Sequence, residues 1–318
     1  MANPRLVIIG SGGRLGAALT RAYREKFEVI AFNHADLDLG HLDQVRTKTS
    51  ALDFDILINA AAFTNVDLAE KEREQVFAVN AEAPSLLAEI CRDKNAKLIH
   101  FSTDYVFDGE KQAPYDEGDP ARPIGAYGES KRAGEKFVLQ THDGHVVVRV
   151  SWVFGPDRPS FIDQMIDRAR ENEEVAAVAD KFSTPTYTHD IAEMLLPILQ
   201  SVVAGVGDPG SSQSRQAGVT DPGYNRDSGY SGILHLANAG QCTWQEYAQQ
   251  AIDCCHQFGV PLKATKVGAL KMSDMKSWIA RRPIYTVLST AKYTALTGKS
   301  SRPWQDAVAE YVREHIAR

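Results

Sequence analysis

The sequence predicts an α/β protein built on a doubly wound parallel sheet, and three observations carry that expectation. Short apolar, β-branched runs alternate with longer amphipathic stretches, the rhythm of strand–helix–strand units whose sheet is covered on both faces. A turn with glycines three residues apart follows the first run directly. The chain has 318 residues, 43% hydrophobic and 24% charged, enough for one large domain or two modest ones and close to the soluble globular average.

In chain order the expected strands are RLVIIG (5–10), EVIAFN (28–33), DILINA (55–60), KLIHFS (97–102) and HVVVRV (145–150). Apolar residues at three-to-four spacing predict helices over 15–26, 69–93 and 127–140. Past residue 150 the pattern loosens. A helix is expected near 161–172, a short strand over 175–179 and a helix over 189–203. Residues 205–232 hold seven glycines and two prolines among many Ser, Asn and Asp, too little apolar surface to offset ordering, so a mobile insertion or a lid is expected there. GILHLAN (232–238), a helix over 243–258 and a last helix from about residue 302 follow. The expected division is a dinucleotide-binding domain over 1–155, with segments near 186–204 and 232–238 returning to it. Residues 156–318 are expected to form mainly a smaller substrate-binding region.

Charge and cysteine content narrow the function. With 35 Lys and Arg against 41 Asp and Glu, net charge −6 and no long basic run, the chain offers no electrostatic footprint for nucleic acid. No apolar stretch is long enough to span a bilayer and no cleavable leader pattern is seen, so a cytoplasmic protein is expected. Cys91, Cys242, Cys254 and Cys255 lack metal or redox spacing and read as buried thiols.

The turn GSGGRLG places Gly10, Gly13 and Gly16 three apart where a helix opens near Leu15. Glycines there permit a tight turn and close backbone approach, and the amides and dipole of the helix start attract a pyrophosphate. The second strand ends Phe32-Asn33-His34, without the acid that clamps a ribose 2′-hydroxyl. Arg14 and His34 are therefore candidates for a 2′-phosphate, which favours NADPH over NADH; a surface arginine and a turn histidine are the alternative reading.

Tyr127 and Lys131 stand at i and i+4 in AYGESKRAGE, on one face of a helix. A phenol of ordinary pKa near 10 is a poor acid–base group at neutral pH, and a neighbouring ammonium stabilises its phenolate. Tyr127 would then protonate a carbonyl oxygen as hydride arrives. The fourth strand delivers Ser102, Thr103 and Asp104 to the carboxyl edge of the sheet, where open α/β folds bind ligands. Thr103 is expected to polarise the substrate carbonyl. Asp104 is either a member of this site or a helix cap.

These residues together resemble the dTDP-4-dehydrorhamnose reductases, a family of the extended short-chain dehydrogenases/reductases, in which the GxxGxxG variant of the glycine turn is found. The resemblance spans nearly the whole chain. It rests on GSGGRLG, INAAAFTNVDLAE (58–70), FAVNAEAP (77–84), FSTDYVFDG, YGESKRAGE, RVSWVFG (149–155), DKFSTPT (180–186), GILHLAN followed by TW, and RRP (281–283). It implies a Rossmann-type sheet with a smaller C-terminal substrate-binding domain. The implied reaction is NAD(P)H-dependent reduction of the 4-keto group of dTDP-4-dehydro-L-rhamnose to dTDP-L-rhamnose. Thr103, Asp104, Tyr127 and Lys131 would act at the keto group, with Trp152 near the sugar and Val66 lining its pocket. Gly13, Arg14, Leu15, Asp38, Leu39, Ala62, Phe63 and Thr64 would meet the cofactor, Asp38 beside the adenine unless it caps a helix.

The nucleotide diphosphate needs cations, and Arg281 and Arg282 are the candidates, with a solvated basic patch as the alternative. Asn80 is expected to anchor backbone, and Trp152 has a packing role as its alternative. Three departures from the family pattern stand out. Ser160 replaces a substrate-binding Asn, Ser183 replaces a Gly, and Ala18 and His189 occupy the places of acidic metal ligands. No structural metal is therefore expected, and the chain is expected to be a monomer or homodimer. A nucleotide-sugar epimerase or dehydratase, and a cofactor-binding regulatory subunit without turnover, remain the rival readings.

Overall fold

A computed structural model describes residues 3–206, 224–225 and 229–317. Six parallel strands form the central sheet: β1 (Arg5–Ile9), β2 (Glu28–Phe32), β3 (Ile56–Asn59), β4 (Lys97–Thr103), β5 (Val146–Val150) and β6 (Gly232–His235). Their order is β6-β5-β4-β3-β1-β2, all neighbours parallel. The strand period of two sends Leu6, Ile8, Ile56, Ile58, Val146 and Val148 into one apolar layer and Val7, Ile9, Leu57 and Val147 into the other. This double burial is why the runs read as continuously apolar.

The helices are α1 (Arg14–Tyr23), α2 (Leu42–Ser50), α3 (Ala83–Asp93), α4 (Ala126–Thr141), α5 (Phe161–Glu171), α6 (Thr188–Val206), α7 (Trp244–Gln257) and α8 (Trp304–Tyr311); α2 was not expected from the sequence. Leu19 and Tyr23 of α1 and Ile191, Leu195 and Leu199 of α6 cover one face of the sheet. Val45 of α2, Leu86 and Leu87 of α3 and Val138 of α4 cover the other. α5, α7 and α8 form separate apolar layers with the parallel pair Val175–Val178 and Val267–Leu270.

The single helix expected over 69–93 is instead three pieces before and within that span: Val66–Ala69, Arg73–Phe77, and a wide turn Ala78–Glu82 leading into α3. Pro84 sits at the start of α3 and has no N–H to give to the preceding turn, so regular helix cannot run through it. The wide turn is the local adjustment, and it carries Asn80. GILH forms β6, parallel to β5 at the edge of the sheet. Most of the insertion expected at 205–232 lies outside the described residues. All four cysteines are buried free thiols. Among the described residues no helix is long and apolar enough to cross a membrane.

Candidate active site

A continuous cleft of about 1490 Å³ runs along the carboxyl ends of the strands. The strand order reverses between β1 and β3, which is where a parallel sheet of this kind opens a ligand crevice. Gly10, Gly13, Arg14, Leu15, Asp38, Leu39, Ala62, Phe63, Thr64 and Val66 line it. Thr103, Asp104, Tyr127, Lys131 and Trp152 line it too.

The glycine turn fits a dinucleotide pyrophosphate. Gly10 has φ +90°, in the region that favours glycine, and a side chain there would meet the backbone N of Ala61 at 2.7 Å. A Cβ at Gly16 would stand 2.1 Å from the carbonyl oxygen of Gly10, so its glycine is needed for close packing of α1; it does not line the cleft. Gly13 caps α1 without a side-chain hydrogen bond, and the first turn holds no acidic residue, so its amides and positive dipole end stay open to an anion.

The Arg14 guanidinium is turned onto backbone carbonyls. Its Nε donates to the carbonyl of Arg158 at 3.0 Å, Nη1 to that of Val153 at 3.2 Å, and Nη2 to that of Pro159. The guanidinium is occupied in tying the glycine turn to the loop after β5. The cation that sequence reasoning missed is Arg158. It is exposed, lines the cleft, and its Nη2 lies 4.0 Å from where a Cβ on Gly12 would be. His34 is exposed and also lines the cleft. Asp38 caps no helix: its Oδ1 accepts from Gly40 N at 2.9 Å, shaping the turn before α2.

At the centre, β4 ends in Thr103 and a single tight turn, Asp104–Val106, follows. Thr103 Oγ1 donates to Asp104 Oδ1 at 3.0 Å and accepts from Tyr105 N at 3.2 Å. Burial pushes the Tyr127 phenol up to about 12, and the neighbouring Thr103 hydroxyl works against that rise. Lys131 is buried, and burial brings its ammonium down to about 8. Its Nζ donates to the Phe101 carbonyl at 2.7 Å and lies 3.3 Å from His100 Nε2.

Asp104 is fully enclosed. Ser183 Oγ at 3.1 Å and Thr286 Oγ1 at 2.6 Å donate to its Oδ2. Burial raises its carboxyl, while the charge of Lys181 and these hydroxyls pull it back. Lys181 is itself buried, donates to the Pro283 carbonyl at 2.6 Å and sits over the Tyr105 ring at 4.8 Å. Ser183 thus acts on Asp104 and does not line the cleft. Ser160 lines the cleft, yet its hydroxyl donates to Asp163 Oδ2 at 2.7 Å in the cap of α5.

Helix α4, which carries Tyr127 and Lys131, is held from two sides. Asn80 accepts from Phe63 N at 2.8 Å and donates to Ser130 Oγ at 3.0 Å, joining the cofactor-side loop to α4 as a backbone anchor. Glu135 pairs in two-pronged fashion with Arg149, at 2.8 Å for each bond, with both side chains buried. Burial raises the Glu135 carboxyl, and the hydrogen bonds and charge of Arg149 outweigh it, leaving it below its ordinary value.

Trp152 has φ +38°, a strained conformation for a bulky side chain, and a feature that concentrates at functional positions. Its ring packs 5.6 Å from Trp244 and 6.4 Å from Tyr247, both lining the cleft. Trp152 Nε1 and the Tyr247 hydroxyl are buried and bond to nothing among the described residues, leaving two polar groups in an otherwise aromatic wall. Trp244 and Tyr247 were legible in sequence only as an apolar helix stripe.

Arg281 and Arg282 lie outside the cleft lining. Arg281 is exposed. Arg282 donates Nη1 and Nη2 to Asp67 at 3.0 and 2.7 Å and stacks 4.0 Å over Trp278. The Arg282 bonds hold the Asp67 carboxyl down at about 2. Among the described residues no group of His, Cys, Asp and Glu gathers that would hold a metal.

Fold and site define a Rossmann-type oxidoreductase of the short-chain dehydrogenase/reductase kind. The family model described as RmlD substrate binding domain matches residues 4–213 and 216–316. The chain belongs to this family, that of the dTDP-4-dehydrorhamnose reductases. It is 30% identical to the dTDP-4-dehydrorhamnose reductase of Aggregatibacter actinomycetemcomitans over 96% of this chain and 97% of that protein. It is 33% identical to a probable dTDP-4,6-dihydroxy-2-methyloxan-3-one 4-ketoreductase of Streptomyces antibioticus, over 98% and 96% of the two chains. Among solved structures it is similar to the dTDP-4-dehydrorhamnose reductase of Bacillus anthracis in complex with NADP, at TM-score 0.84 and 29% identity, covering 98% of this chain and 99% of that one.

Proposed function

We propose that this chain reduces the 4-keto group of dTDP-4-dehydro-L-rhamnose to give dTDP-L-rhamnose, with NADPH as reductant and Tyr127 as proton donor. The observation that carries this reading is the placement of Thr103, Asp104, Tyr127 and Lys131 in one cleft. The glycine turn and the aromatic wall of Trp152, Trp244 and Tyr247 line that same cleft. The NADP in the Bacillus anthracis relative supports the cofactor.

When bound, the reduced nicotinamide supplies the hydride. Tyr127 gives its hydroxyl proton to the carbonyl oxygen as negative charge develops there. In its buried setting the phenol is a weak acid, so the phenolate it leaves requires the Lys131 ammonium and the Thr103 hydroxyl. Thr103 has one hydroxyl proton, which Asp104 holds at rest and which turns to the oxyanion or phenolate during the reaction. Asp104 fixes that threonine, with Ser183 and Thr286 fixing Asp104 in turn. The rings of Trp152, Trp244 and Tyr247 line the cleft and exclude water from the sugar.

The test is the decay of NADPH absorbance, and separately of NADH, on adding dTDP-4-dehydro-L-rhamnose made in place from its precursors. Stoichiometric oxidation with formation of dTDP-L-rhamnose is expected. Interconversion of sugars without net oxidation would replace this reading by an epimerase. Turnover only of another dTDP-4-keto-6-deoxy sugar would retain the chemistry and change the substrate.

A further inference from the structure

Behind the catalytic lysine lies a buried hydrogen-bonded chain that the reaction as described above does not use. His100 is fully buried in the middle of β4, among apolar neighbours. Its Nδ1 lies 3.2 Å from Asn59 Nδ2 on β3, and its Nε2 lies 3.3 Å from Lys131 Nζ on α4. The Asn59 amide is oriented by its own neighbour, since Asn59 Oδ1 accepts from Ala61 N at 3.1 Å. The amide nitrogen of Asn59 therefore faces the histidine, and it can only donate.

A donor at Nδ1 requires that nitrogen to be bare, so the proton of the neutral ring sits on Nε2. That N–H points at Lys131 Nζ. An amine has a lone pair to accept it, whereas an ammonium has none. With Lys131 charged, two N–H groups would oppose each other unless the ring proton moved to Nδ1, where it would oppose Asn59 instead. We propose that His100, with its tautomer set by Asn59, is a positioning residue that stabilises the neutral amine of Lys131 and so sets its proton affinity. Lys131 then gains and loses a proton near neutral pH in place of remaining a fixed cation.

Other groups around Lys131 act in the opposite sense or are compensated. Glu135 on the same helix favours the ammonium, but its carboxylate is paired with Arg149 on β5 and with Arg132. Tyr127 lies one turn away on α4, and the Phe101 carbonyl on β4 accepts from Nζ in either state. Burial disfavours charge on both His100 and Lys131, in keeping with a neutral pair. The catalytic consequence is that the amine left when Lys131 gives a proton to the Tyr127 phenolate is held by the Nε2–H, and solvent returns the proton.

This consequence rests on the proposed roles of Tyr127 and Lys131; the proton placement does not, and it is tested without substrate. Long-range nitrogen–proton NMR of the unmodified protein should find His100 neutral with its proton on Nε2, and a proton on Nδ1 would overturn the proposal. The Lys131 Cε resonance, assigned by its loss in Lys131→Met, should then be titrated in three proteins. In Asn59→Asp one carboxylate oxygen still accepts from Ala61 N while the other draws the ring proton to Nδ1, baring Nε2 for the ammonium. The Lys131 pKa should rise by about one unit or more, a tenfold or greater change in proton affinity. His100→Gln can turn its amide oxygen toward Nζ and should raise it without adding charge. In the double variant the effect of Asn59→Asp should shrink, because no ring proton is left to relocate; a full-sized effect there would mean that the carboxylate acts by charge alone and would overturn the proposal, as would an unmoved Lys131 titration in the single variants. If the wild-type protein fails to oxidise NADPH with the keto-sugar, the substrate reading falls while these titrations still decide the role of His100.

Discussion

Replacing Tyr127 by phenylalanine removes one oxygen and keeps the ring that packs edge-on against Tyr105 at 5.8 Å. In stability the change amounts at most to one polar interaction of the phenol with the neighbouring Thr103 hydroxyl, about 0.5–1.5 kcal/mol. In catalysis it removes the proposed proton donor, expected to slow turnover by about 10²–10⁴-fold. That factor corresponds to about 2.7–5.4 kcal/mol of activation free energy, well above the structural cost. The two quantities can therefore be separated. The assay is NADPH oxidation at saturating keto-sugar, run beside thermal unfolding and cofactor binding followed by nicotinamide fluorescence. The expected result is a folded, cofactor-binding variant with turnover down by at least two decades. Turnover near that of wild type would refute the assignment. So would a loss that tracked weakened cofactor binding, because the missing hydroxyl would then be serving the cofactor site.

Three further substitutions probe the supports around that centre. Arg149→Met leaves Glu135 buried with Arg132 as its remaining cation, and denaturant unfolding should show a loss of about 3–5 kcal/mol at neutral pH. The sign follows from the Glu135 carboxyl being held below its ordinary value. Its stabilisation is present above the unfolded-state pKa and is lost as pH falls, so the gap between wild type and variant should narrow in acid. Arg282→Ala frees Asp67 to return upward from about 2 and loosens the backbone at Ile279 and Ala280 that Asp67 also holds. Beside Val66 this should raise KM for the sugar nucleotide more than it lowers kcat, and a selective loss of kcat would refute it. Ser183→Gly removes one donor from Asp104 and should raise that carboxyl further. The expected outcome is a loss of about 0.5–1.5 kcal/mol and an acid limb of kcat moved to higher pH, and an unmoved limb would refute the link.

What the sequence revealed and what it concealed divide along the range of the interactions. The strands were legible because both faces of the sheet are buried, so Leu6 and Val7 are apolar for the same reason though they face opposite layers. Tyr127 and Lys131 were legible because a helical turn brings i and i+4 together whatever the rest of the chain does. The glycine turn was legible because its requirement for close approach is met within one strand–helix junction. The carbonyl partners of Arg14 were not legible because they lie across the fold, with Arg158 144 positions away. No local pattern shows that the loop after β5 will satisfy every arm of a guanidinium. Arg282 and Asp67 are separated by 215 positions, and a basic pair near a diphosphate-binding family motif was easily taken for a phosphate clamp. Periodicity failed over 69–93 for a different reason: apolar spacing survived while Pro84 and the side-chain bonds of Asn80 imposed a wide turn.

Ser183 shows how the two ranges combine. Beside a family glycine, it stood out in sequence as a departure from the family pattern. The short antiparallel pair of Phe182–Ser183 with Cys242–Thr243 turns its hydroxyl onto Asp104, 79 positions earlier in the chain. The substitution thus acts by hydrogen bonding to the residue that follows Thr103. The pocket wall left to discriminate sugars is the aromatic one, where Trp152 Nε1 and Tyr247 OH are the polar groups without protein partners among the described residues. Changes in substrate preference should therefore follow substitutions at Trp152 and Tyr247, whereas changes at Ser183 should shift pH dependence and rate for every keto-sugar alike.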